Sequence, residues 1–168
     1  MITNAPDDAV VETARKSISV KIFGVGGAGI NVMELMLKDS PPGVGFVAVN
    51  TDAQSLAASS APEKVNLETE PQHGLGTGGD PDRDRALAEA QLPKFKSLCE
   101  GAEVVFILAG LGGGAGTGIS PVLAGAAKET GALVLGFVTM PFECEGGRRQ
   151  RLAQYGLSRG QGPRRPPL

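Results

Sequence analysis

An α/β fold, doubly wound around a mainly parallel sheet with helices on both faces, is the class this chain predicts, and three observations predict it. Short runs of Val, Ile, Leu and Ala alternate with helical patterns along the sequence. Those runs are mostly apolar rather than alternating with polar residues, as expected of strands covered on both faces. The glycine-rich segments fall at the carboxyl ends of the predicted strands, where ligands bind in open sheets of this kind. With 4% aromatic residues and no Trp, the core has to be built from aliphatic side chains.

Val20 to Val25 reads as the first strand. A helical pattern from Ile30 to Leu37 follows, with Ile30, Met33 and Leu37 on one stripe and Asn31, Glu34 and Lys38 off it. Pro41-Pro42-Gly43 ends that helix. Phe46 to Val49 is a second strand, followed by Asn50-Thr51-Asp52, a short Ala-rich helix to Ser59, and a short strand from Lys64 to Leu67. A polar, glycine-rich loop spans Glu70 to Asp80. Asp80 is placed to cap the next helix, and Pro81 suits its first turn. That helix runs toward Cys99 and breaks or kinks at Pro93. Glu103 to Ala109 is a strand, Thr117 to Thr130 a helix, Leu133 to Thr139 a strand, and Gly147 to Leu157 a last helix.

Domain organisation follows. Residues 1–18 are expected to form a flexible arm, 19–157 a partial nucleotide-binding domain, and 158–168 a disordered tail rich in Pro, Arg and Gly. The arm carries Asp7, Asp8 and Glu12 and no apolar core, so it does not read as a secretory signal. A net charge of −2 provides no footprint for nucleic acid. No apolar run approaches the roughly 20 residues needed to span a bilayer, so direct membrane insertion is not expected. Cys99 and Cys144 lack metal-ligand spacing, which fits reduced thiols in a cytoplasmic protein. His73, the only histidine, reads as a solvated loop residue.

The densest chemical signal is Gly112-Gly113-Gly114-Ala115-Gly116-Thr117-Gly118, set between a strand and a helix. Bare backbone at a helix N-terminus aims unpaired N–H groups and a positive dipole end at one place, which suits a phosphate. A flexible hinge is the competing reading, and the abrupt strand before the loop argues against it. Gly24-Val25-Gly26-Gly27-Ala28-Gly29 fits G-x-G-x-x-G, with Asp52 after the second strand, so an NAD-binding fold is a serious rival. No G-x-x-x-x-G-K-[ST] occurs. A dinucleotide fold has little use for a second, denser glycine loop, whereas one nucleoside triphosphate could be embraced by both.

These segments, in order with Ala48-Val49-Asn50-Thr51-Asp52, Gly74-Leu75-Gly76-Thr77-Gly78-Gly79-Asp80-Pro81 and Pro141-Phe142-Glu143-Cys144-Glu145-Gly146, resemble the bacterial branch of the tubulin/FtsZ family over about Ser19 to Leu157. The resemblance implies a GTPase whose cofactor is GTP or GDP, self-association into filaments, work with other cell-division proteins, and a cytoplasmic location at the division site. It implies that Gly26, Gly27 and Gly29 lie against the phosphates and Asn31 near the guanine or ribose. It places Gly76, Gly78 and Gly79 at the terminal phosphate and Gly113, Gly114, Ala115, Gly116 and Thr117 in the main cradle. Glu145 would contact the ribose, with Arg149 beside the nucleotide. Read from the residues alone, Glu145 serves equally as an acid at a helix start, and Arg149 as a solvated surface cation.

The sequence departs from the family pattern at Ala115, where Thr is usual, and at Asp80, where Asn is usual. Losing one hydroxyl from the cradle should cost about 1 kcal/mol of binding. Mg²⁺ could accompany the nucleotide, with Asp52 holding it through water. The resemblance ends near Leu157, and family members continue about as far again, with a base-contacting helix, a loop of catalytic acids and a second domain. No catalytic residue is therefore expected in this chain, and apolar sheet surface should be left exposed. A non-hydrolysing fragment that caps filaments is the alternative function.

Overall fold

The computed structural model describes residues 17–67 and 78–160. Five parallel strands form one sheet in the order β3-β2-β1-β4-β5: β1 (Val20–Val25), β2 (Val44–Asn50), β3 (Glu63–Asn66), β4 (Val104–Gly110) and β5 (Leu133–Thr139). The chain winds outward from β1 through β2 to β3, then returns to β4 and winds the other way. That reversal between β1 and β4 is the switch point of a doubly wound sheet.

One face carries α3 (Pro81–Ala90), α4 (Leu92–Cys99) and α5 (Gly114–Glu129). Phe95, Cys99, Ile119 and Leu123 from these helices bury against Phe23, Val47, Val105 and Ile107 of the strands. The other face carries α1 (Gly26–Leu37) and α2 (Ala53–Ala58), whose Ile30, Met33 and Leu56 meet Ile22, Phe46 and Leu108. Alternate residues of each strand serve the two faces, so β1, β2 and β4 are apolar along their length except at Lys21 and Asn50. Burial pushes the Cys99 thiol up to about 11, so it stays protonated in the core.

Several boundaries shift from the sequence expectation, each for a physical reason. α1 starts at Gly26 rather than Ile30, and α5 at Gly114 rather than Thr117. Glycine has poor intrinsic helix propensity, so a periodicity reading passes over it, but here the packing of each helix on the sheet carries the first turn. The helical stretch before Cys99 divides at Gln91, with Pro93 in the opening turn of α4, where its missing N–H costs nothing. A short 3₁₀ turn, Glu143–Glu145, precedes α6 (Gly147–Gly160). Ser158 to Gly160, expected in the tail, remain helical. The Ser158 hydroxyl donates to the Tyr155 carbonyl at 2.8 Å, and the Arg159 guanidinium lies 4.8 Å from the Tyr155 ring centre. The arm up to residue 16, most of the loop from Glu70 to Asp80 (with Gly76 and His73) and the tail from 161 lie outside the described residues.

β5 is the least covered strand. Leu133, Leu135 and Phe137 point to one face and are exposed, Phe137 by 59%. Exposed apolar sheet surface is thus present, on the side of α1. No described helix is long and apolar enough to cross a membrane.

Candidate functional site

A cleft of about 620 Å³ opens at the carboxyl ends of β1, β4 and β5, directly over the switch point. Three strand-to-helix connections build it. The turn from β1 into α1 contributes Val25, Gly26, Gly27 and Ala28; the turn from β4 into α5 contributes Gly110 to Gly116 except Gly112; and the segment after β5 contributes Thr139 to Phe142, with Glu145 and Arg149.

The helix starts around this cleft differ from those of α2 and α3; α4 also starts without a side-chain cap, but it follows directly on α3 at Gln91, away from the cleft. α2 begins at Asp52, whose carboxylate accepts from the Gln54 and Ser55 N–H groups, and α3 begins at Asp80, which accepts from Asp82 N–H at 3.0 Å. α1 and α5 begin at Val25 and Gly113, neither of which makes a side-chain cap, and neither helix has an acid in its first turn. Both uncapped N-termini face the cleft. Their orphan N–H groups and positive dipole ends therefore converge on one space, as an anion with several phosphates would require.

The predicted glycines divide into two kinds. At Gly27 and Gly113 a Cβ would meet nothing within 4 Å, so bareness there keeps the cleft open. At Gly29 and Gly116 a Cβ would run into the carbonyl oxygens of Leu108 and Gly110, so bareness there lets α1 and α5 sit directly on β4. Gly26 has φ +69°, and a Cβ on it would stand 3.2 Å from the Gly116 nitrogen and 3.3 Å from Ala115 Cβ. The two loops thus touch at Gly26. Gly114 borders the cleft, and its missing Cβ leaves room for Asp84 and Gly79. Gly78 and Gly79 both have positive φ and lead into the Asp80 cap, outside the cleft lining.

Thr117 is 3% exposed and lies beneath the loop, away from the cleft lining. Its Oγ1 accepts from Gly112 N–H at 2.9 Å, closing the turn that Gly112 makes at φ +97°. Thr117→Val keeps the shape but strands that buried N–H, so we expect a loss of about 1–3 kcal/mol in denaturant unfolding. Thr117→Ser, which retains the acceptor, should lose less. Equal losses for the two would show that the methyl group, not the hydroxyl, holds the loop.

At the opposite wall the Glu145 carboxylate accepts from Phe142 N–H at 2.8 Å and from Arg149 Nη1 at 2.7 Å. The Phe142 N–H first, and then the Arg149 guanidinium, hold its pKa below the usual carboxylate range. Glu145 is therefore an ionised acceptor with lone pairs to spare, at the rim of the cleft. Asn31 is exposed on α1 and does not line the cleft. Asp52 is committed to α2, where the Ser55 hydroxyl chiefly lowers its pKa. Among the described residues no group of three His, Cys, Asp or Glu side chains could hold a metal ion.

Thr139, Met140 and Phe142 form a wall to which no role was assigned from the sequence, and Phe142 is 76% exposed. Phe142 lay within the Pro141–Gly146 segment that carries the resemblance, without a role, and for Thr139 and Met140 the position at the carboxyl end of β5 was the only signal.

Residues 19–161 match the family model described as Tubulin/FtsZ family, GTPase domain. Among solved structures, an FtsZ dimer from M. jannaschii is similar with a TM-score of 0.82 and 36% identity, covering 88% of this chain and 43% of that one. TubZ of Clostridium botulinum phage c-st follows the same fold at TM-score 0.75 and 17% identity, over 85% of this chain and 48% of that one. A TubZ protofilament from bacteriophage PhiKZ does so at 0.71 and 19%, over 85% and 44%. The chain thus spans less than half the length of these relatives.

Proposed function

The chain belongs to the tubulin/FtsZ family, within its GTPase domain, and from that premise we propose that its cleft binds one guanine nucleotide with the phosphates lodged between the N-termini of α1 and α5. The observation that carries this reading is the pair of uncapped, acid-free helix starts facing one cleft, while α2 and α3 are closed by their own Asp side chains. Gly27 and Gly113 give the phosphates their approach. The nucleoside then runs toward Glu145 and Arg149, with Glu145 accepting from ribose hydroxyls. Asn31 would touch only a nucleoside that extends over the exposed side of α1. Mg²⁺ bound with the nucleotide would draw its oxygens mainly from phosphate and water.

The dinucleotide alternative is weakened at Asp52. An acid after the second strand would bind the adenosine ribose in such folds, but here its carboxylate is satisfied by Gln54, Ser55 and the Ser55 hydroxyl. The complete protein, on this reading, is a GTP-hydrolysing, filament-forming protein of the cell-division ring. The solved relatives include an FtsZ dimer and a TubZ protofilament, which supports self-association.

Calorimetric titration of the purified chain with GTP, GDP, ATP and NAD tests the binding reading. Heat of binding for the guanine nucleotides, displaced poorly by ATP and not at all by NAD, is expected. NAD binding as tight as GTP binding would refute it.

A further inference from the structure

Phe142 is the most exposed large apolar side chain among the described residues, at 76%, and it belongs to the lining of the cleft. Single exposed apolar side chains are ordinary in proteins, so the surroundings of this one decide what it does. The other exposed aromatic side chains are engaged. Phe137 pairs with Phe106 at 5.8 Å between ring centres, and Tyr155 lies under the Arg159 guanidinium. Among the described residues Phe142 has no such ring contact. Its backbone, by contrast, is held at both polar groups. The N–H donates to the Glu145 carboxylate at 2.8 Å, and the carbonyl accepts from the Glu145 N–H at 3.0 Å. A fixed backbone thus carries an unpaired ring at the rim of the cleft.

The two sides of the cleft differ in chemistry. The starts of α1 and α5 offer bare backbone and orphan N–H groups. At the wall beyond β5, Met140, Pro141 and Phe142 offer apolar surface. A nucleotide has the same division, with charged phosphates at one end and a flat, polarisable base at the other.

We propose that Phe142 is the stacking platform for the base of the bound nucleotide. This rests on the nucleotide reading above and deepens it to one residue. In that reading Glu145 accepts from ribose hydroxyls, and the base is bonded to the same ribose. The residue whose N–H and carbonyl both meet Glu145 is therefore placed beside the base. A phenyl face takes a purine face in an offset stack, whatever edge groups the base carries. Phe142 supplies affinity for a base and leaves the choice between guanine and adenine to other contacts.

Inorganic tripolyphosphate separates the two ends of the ligand, because it has no base to stack. Phe142→Ala should lower the affinity for GTP about tenfold and leave that for tripolyphosphate unchanged. Phe142→Leu keeps apolar bulk without an aromatic face and should lose nearly as much, whereas Phe142→Tyr should lose little. The chain contains no Trp, so Phe142→Trp places a single indole at the site. GTP and GDP should quench its fluorescence, and saturating tripolyphosphate should not. Ile18→Trp is the control that should respond to neither, since Ile18 is exposed just before β1, at the opposite end of the sheet from the cleft.

Parental GTP affinity in Phe142→Ala, an equal loss for tripolyphosphate, full retention by Phe142→Leu, or equal quenching in Phe142→Trp and Ile18→Trp would each overturn the platform. The first of these, with GTP still bound, would leave the nucleotide reading standing. NAD bound more tightly than GTP, with both weakened by Phe142→Ala, would refute the guanine reading and leave Phe142 in its role. A chain that binds neither GTP nor tripolyphosphate would overturn both.

Discussion

Gly116→Ala is expected to cost about 3 kcal/mol of stability or more, and Gly27→Ala none, although both glycines belong to cradle turns that look alike in sequence. The difference lies in what the added methyl group meets. At Gly116 it would run into the Gly110 carbonyl, with the Gly110 carbonyl carbon at 3.0 Å and its nitrogen at 3.3 Å. These are backbone atoms of β4, a strand paired on both sides, so they cannot rotate away as a side chain could. Relief requires α5 to lift from the sheet, loosening the contacts of Ile119 and Leu123 below it. Alanine's helix propensity offsets only about 1 kcal/mol of that. Against a typical total of about 5–15 kcal/mol, the loss is a large share. At Gly27 the methyl group meets open space, so the helix propensity gain stands alone and stability should hold or rise. The cost there falls on binding, since the methyl group enters the cleft where phosphate would approach the α1 N-terminus. Denaturant titrations of both variants, with nucleotide titrations on whichever remains folded, check the pair. Unaltered stability for Gly116→Ala would refute its packing role. Unaltered nucleotide affinity for Gly27→Ala would refute the assignment of that residue to the ligand side.

That contrast also marks what could be read from the residues in advance. The strands were legible because burial on two faces leaves continuous apolar runs such as Val104 to Ala109, and the doubly wound class, though not the strand order, followed from their alternation with helices. The glycine loops were legible as a group because bare backbone placed between a strand and a helix N-terminus suits an anion better than it suits a hinge. Their division into cleft-facing and strand-facing members was not, because it depends on which atoms lie across a gap, as Leu108 does for Gly29. Thr117 was expected in the cradle as a phosphate neighbour, and its hydroxyl instead accepts from Gly112 N–H. A hydroxyl flanked by glycines fits either role, and only the fold selects one. Asp84 carried no signal either. A first-turn acid is ordinarily a surface residue serving its own helix, and only the close contact of α3 with α5 turns this one inward.

GTP turnover by the purified chain should be at least about 10²-fold slower than that of a longer family member, because among the described residues the cleft lining holds no carboxylate or histidine other than Glu145. Hydrolysis of a terminal phosphate needs a base or acceptor that orients the attacking water in line, and positioned general bases contribute typically about 10²–10⁴-fold. Glu145 is the only carboxylate among the described lining residues, and its two oxygens already accept from Phe142 N–H and Arg149. Those partners lower its pKa, making it a poorer proton acceptor than an ordinary carboxylate. It also sits at the wall beyond β5, across the cleft from the α5 N-terminus. Asp80 and Asp52 are spent on capping α3 and α2. On the proposed reading the backbone N–H groups would hold and polarise a triphosphate, while the described lining residues offer no well-placed proton acceptor. If acids of a neighbouring subunit complete such a site, a longer relative should raise the turnover of nucleotide bound to this chain. Phosphate release measured for the chain alone, for the longer relative, and for mixtures of the two decides the matter. Turnover by the chain alone near that of the relative would refute the inference. Substoichiometric chain that shortens the relative's filaments would support the filament-cap alternative, and filaments of unchanged length would count against it.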